Sequence, residues 1–141
     1  MTYKSLDEIK NIVRAFEDCT LPPAEWKHSA HLTVALWYLT HFSVQEAINC
    51  LRDRITTYNI AHGIKITKDS GYHETLTLFW VQIIIRYLRD NIGNNNIVLL
   101  TNGLINSYED PFFPLEYYNR DLLMSCQARI SWVKPDLKPL K

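Results

Sequence analysis

Neither sign of charge dominates this chain. Fifteen lysines and arginines are matched by fifteen aspartates and glutamates, for a formal net charge of zero. Without a basic excess there is no long-range field to draw the protein to nucleic acid or to an anionic membrane, and a small, roughly neutral molecule is the expected ligand or substrate. Cysteine is scarce as well. Cys19, Cys50 and Cys126 are far apart, odd in number and free of a Cys-x-x-Cys pair. That argues against a disulfide framework and against a cysteine zinc site, and the three read as reduced core thiols.

Only four glycines occur, and none falls in a Walker or Rossmann pattern, so no nucleotide cofactor is expected. There is no Gly-x-Ser-x-Gly elbow and no His-Glu-x-x-His on one helix. Long apolar runs are missing too. The most apolar stretch, residues 76–88, is interrupted by Gln82 and Arg86 and is too short to span a bilayer. The first residues carry Lys4, Asp7, Glu8 and Lys10 in place of the apolar segment of a secretion signal, which makes a cytoplasmic location the expectation.

What the chain does have is helical periodicity and aromatic mass. With 47% hydrophobic and 12% aromatic residues, residues 1–141 suffice for one globular domain with its own core. Ser5 and Glu8 have capping-box spacing ahead of Ile9, Ile12, Val13 and Phe16, predicting a helix over residues 6–18. Pro23 suits a first helical turn, so the second helix is expected to run from there to about residue 40, with Leu32, Ala35, Leu36 and Leu39 on its core face. Ser43 and Glu46 repeat the box before Ala47, Ile48, Leu51, Ile55 and Tyr58. Residues 60–69 read as a loop long enough to act as a lid or rim.

Ser70 then caps a fourth helix, in whose first turn His73 and Glu74 are expected to sit. A fifth helix is marked by Ile97, Leu100, Leu104 and Ile105, a short turn by residues 115–118, a last helix by residues 125–132, and an extended tail by the prolines at 135 and 139. The predicted fold is all-α: a single-domain bundle of about five main helices, the fourth at its centre.

Two polar blocks stand out. If the second helix starts at Pro23, Glu25, His28 and His31 follow one another at intervals of three and share a face, and Glu25 to His28 is the Glu-x-x-His step of metal-binding bundles. The second block is Tyr72-His73-Glu74 at a helix mouth. Together they suggest a divalent metal site, zinc or iron, with His28, His31 and His73 as ligands, Glu74 as a further ligand or general base, and Tyr72 and Arg129 touching the substrate. Arg129 has a competing role, bridging to Asp136 to tie down the tail. The alternative for the whole site is a metal-free module that binds a small ligand, or a protein partner, through a polar His/Glu pocket. A third reading has these residues merely packing and capping, with no site at all.

Glu25-Trp26-Lys27-His28-Ser29-Ala30-His31-Leu32, Gly71-Tyr72-His73-Glu74-Thr75-Leu76-Thr77, and Ser125 with Ala128-Arg129 and Trp132-Val133-Lys134-Pro135-Asp136-Leu137 resemble a family of small uncharacterised bacterial proteins over most of residues 16 to 140. The resemblance implies that the pairing of the two blocks is a family trait. It brings no activity with it.

Overall fold

A computed structural model describes residues 2–67 and 69–140. The expected lid segment contains Lys68, which lies outside the described residues.

Among the described residues the chain is helical, without strands. Five main helices are α1 (Leu6–Glu17), α2 (His28–His41), α3 (Val44–Ala61), α4 (Glu74–Asp90) and α5 (Ile97–Ser107), followed by the short α6 (Arg120–Leu123) and α7 (Cys126–Ile130). Two 3-10 turns, Pro23–Glu25 and Phe113–Glu116, join them. The signals at the starts of α1 and α3 act as their spacing predicts. The Ser5 hydroxyl accepts from Glu8 N–H, and Ser43 and Glu46 complete a reciprocal box. Asn96 caps α5 through the N–H groups of Val98 and Leu99.

The central position belongs to α2, a correction to the place expected for the fourth helix. Leu32, Thr33, Val34, Ala35 and Leu36 are all buried in succession, which an amphipathic helix cannot do. α2 packs against α1, α3, α4 and α5. Its core joins Phe16, Tyr38, Leu51, Tyr58, Ile84 and Leu104. A second cluster, Phe79, Ile83, Tyr117, Tyr118 and Leu123, fastens the C-terminal part to α4.

The tail is extended and docked. Tyr118 Oη donates to the Val133 carbonyl at 2.6 Å, Leu137 N–H to the Tyr117 carbonyl at 2.9 Å, and Asn119 N–H to an Asp136 carboxylate oxygen at 2.8 Å. Asp136 is thus engaged by a backbone amide, and no Arg129 bridge to it forms. Cys19 and Cys50 are half-buried and Cys126 is exposed, all three free, so Cys126 is a surface thiol where a core one was expected.

Candidate functional site

The entry to α4 is built by a sequence-distant clamp. Gly71 adopts φ +93°, and a side chain there would press on Ile66, whose Cα lies 2.8 Å from the position a Cβ would take. The loop before it closes on itself, with Thr67 N–H reaching the Ser70 carbonyl at 3.0 Å and Ser70 Oγ the Lys65 carbonyl at 2.7 Å. Arg129, buried in α7, points Nη1 at the carbonyls of Ser70, Gly71 and Tyr72 at 3.0, 3.1 and 3.1 Å. The guanidinium expected to hold substrate therefore holds backbone.

Ser70 is consequently part of the loop, and the residue that caps α4 is His73. Its Nδ1 accepts Leu76 N–H at 3.1 Å, and its Nε2 donates to the Leu123 carbonyl at 2.7 Å. These two partners fix a neutral tautomer, since an amide can only donate and a carbonyl can only accept. Burial, with Arg129 nearby, lowers the His73 pKa, against the pull of the Leu123 carbonyl. Both ring nitrogens are committed to the fold.

Glu74 is equally committed. Arg52 Nε donates to its two carboxylate oxygens at 2.9 and 3.1 Å, and Tyr72 Oη donates at 2.7 Å. The Arg52 contact, aided by Tyr72, holds the carboxyl below its ordinary range, while burial and Glu74 raise the Tyr72 phenol. The carboxylate is ionised and engaged by Arg52 and Tyr72.

The helix expected from Pro23 breaks after one turn. Trp26 has ψ 63° and Lys27 is extended, so α2 starts only at His28. The cause is packing: the Trp26 indole stacks on Phe16 at 4.3 Å and leans on Tyr58 at 5.5 Å, contacts a continuous helix would pull apart. Glu25 stays on the 3-10 turn, and the Glu-x-x-His face does not form. His28 Nε2 donates to the Tyr108 carbonyl at 2.7 Å, its ring 4.9 Å from Trp80. His31 lies over Trp26 at 3.9 Å. His31 is exposed, and it borders a concavity. Desolvation by the surrounding protein, with His28 beside it, lowers its pKa.

The two polar blocks meet around one cavity of about 360 Å³ between the beginnings of α2 and α4. His28, His31, Tyr72 and His73 line it, with Trp26 and Trp80 among its walls and Leu51 and Ile55 of α3 opposite. Glu74 and Arg52 lie instead on a neighbouring polar groove, and Tyr72 borders both. The expected metal centre is not assembled. His73 has no free nitrogen, His28 has one, Glu74 is locked by Arg52, and no group of three or more His, Cys, Asp or Glu among the described residues is placed to hold an ion.

Sequence reasoning missed Arg52, whose position on α3 carries no local signal, and it missed Trp80 as part of the site. Trp80 lies seven residues after His73, two helical turns along the same face, and that spacing marks it as a neighbour of the block. The chain matches no protein-family model, no curated protein and no solved structure.

Proposed function

We propose that this protein binds a small molecule in the cavity between α2 and α4, and does so without a metal ion. The observation that carries this reading is the cavity itself: about 360 Å³, within the range of small-molecule sites, with apolar walls and a few ring nitrogens. The partners of His73 and Glu74 support it over the metal-dependent enzyme, because both nitrogens of His73 are spent on the fold and Glu74, outside the cavity lining, is held by Arg52 and Tyr72.

The test is a fragment screen by chemical-shift mapping on the wild type and on Ala35→Leu, which adds volume at a cavity-lining position. Hits that map to Trp26, His31 and Trp80 and disappear in the variant, with helical circular dichroism retained, are the expected result. Absence of hits, or hits indifferent to Ala35→Leu, would overturn the reading. A melting temperature unmoved by added zinc, iron or manganese is expected alongside. A rise of several degrees with near-stoichiometric uptake would return the site to metal chemistry.

A further inference from the structure

Three helices bring paired apolar positions to the cavity. Leu32 and Ala35 of α2 are three residues apart, Leu51 and Ile55 of α3 are four apart, as are Leu76 and Trp80 of α4, and all six line it. At those intervals each pair shares one helix face. The five aliphatic side chains among them carry no polar atom, so whichever part of each meets the cavity is hydrocarbon.

Much of the polar chemistry on the lining is engaged by the fold. His73 has given both ring nitrogens, to Leu76 N–H and to the Leu123 carbonyl. The Tyr72 hydroxyl donates to Glu74, the Thr77 hydroxyl to the His73 carbonyl, and His28 Nε2 meets the Tyr108 carbonyl. Glu74 and Arg52 border the neighbouring groove instead. No Asp or Glu among the described residues lines the cavity, and Lys27, which is exposed, is the one Lys or Arg that does. A cation entering it would leave water without gaining a carboxylate, which is costly. An anion would meet one solvated ammonium, and an exposed ion pair contributes little.

Volume sets the size of the ligand. About 360 Å³ is more than twice the roughly 150 Å³ in which an apolar cavity holds one benzene. A single ring would leave wall atoms without contacts. Resting on the binding reading above, we propose that the cavity takes an uncharged, predominantly hydrocarbon molecule of about two fused rings. Its affinity comes from apolar area withdrawn from water against α2, α3 and α4, and grows with the ring surface that reaches Leu51, Ile55 and Leu76. A charge on the same skeleton adds a desolvation cost and weakens binding.

The experiment titrates the full-length protein, carbon-13-labelled at its Leu and Ile methyl groups, with 2-naphthalenemethanol, 2-naphthoate, 2-naphthylmethylammonium and benzyl alcohol. The first three share a skeleton and differ in charge, and the fourth keeps the alcohol on a single ring. The methyl signals of Leu51, Ile55 and Leu76 are followed, with Ile92 and Leu137 as internal controls because neither lines the cavity. With 2-naphthalenemethanol the three wall signals are expected to move saturably while the controls stay. Both ions, and benzyl alcohol, should bind at least about tenfold more weakly. Should either ion bind as tightly as 2-naphthalenemethanol, the uncharged class falls. Should benzyl alcohol do so, the two-ring size falls. In both cases the cavity reading stands. If none of the four moves a wall signal, the ligand class and the cavity reading fall together.

Discussion

His73 closes α4 with its own ring, and that use of an imidazole has measurable consequences. His73→Ala removes the cap and strands the Leu123 carbonyl, for an expected loss of about 2–3 kcal/mol in urea denaturation. His73→Asn keeps a capping oxygen and should lose visibly less. The same ring makes stability depend on pH. Its folded pKa lies below the ordinary 6.5, so the unfolded chain binds the proton more tightly. The stabilisation is complete above about pH 6.5 and is lost progressively as pH falls toward the folded value. A denaturation midpoint that declines between pH 7 and 5 in the wild type and declines less in His73→Asn is the expected pattern. His31, also depressed, contributes in the same direction in both proteins.

At the scale of elements, the approach of one segment to another decides what a position tolerates. Gly71→Ala forces a side chain into a left-handed backbone and against Ile66. A cost of about 1–3 kcal/mol is expected from the backbone alone, and the shifts it causes should centre on the cavity. Gly103, inside α5, shows a different logic. A methyl group there would collide with Tyr87 Oη, which donates to the Leu100 carbonyl at 2.8 Å. The helix-propensity gain of about 1 kcal/mol for Gly103→Ala is therefore offset by loss of that bond and by displacement of the ring. The expected result is a melting temperature no higher than wild type.

Legibility in the sequence divides along the same line. Ser5 with Glu8, Ser43 with Glu46, and the periodic Ile and Leu positions are local signals, and α1, α3 and α5 follow them. The two polar blocks were visible as blocks, and they do share a cavity. The start of α2 was not legible, because Trp26 is held by Phe16 and Tyr58, residues remote in sequence. The cap of α4 was not legible either: Ser70 and His73 can both cap, and what decides between them is Arg129, which fixes residues 70–72 from 57–59 positions away. Site chemistry followed from those two displacements, since an imidazole's role depends on which carbonyl or amide its nitrogens meet.

For the molecule as a whole, the fold reads as a four-sided packing around α2 with a C-terminal strap. No described helix is long and apolar enough to cross a membrane. The strap is tied by Tyr118, Asn119 and Thr75, the last accepting Val133 N–H at 3.2 Å and donating to the Ser131 carbonyl at 2.8 Å. Tyr118→Phe removes one tie and leaves the half-buried Val133 side of the bond unmatched, for an expected loss of about 1 kcal/mol in chemical denaturation. Hydrogen exchange should show residues 131–137 opening before α2 does.

The guanidinium of Arg129 also sets an order in time. A chain emerges from synthesis amino end first, and α1, α2 and α3 can associate while the rest is still being made. The wall formed by residues 70–72 acquires its anchor only when position 129 has been added and α7 has turned back onto α4. A nascent chain that stops short of that residue has every cavity-lining side chain and no anchor for residues 70–72, so that wall is fixed only once position 129 has been made.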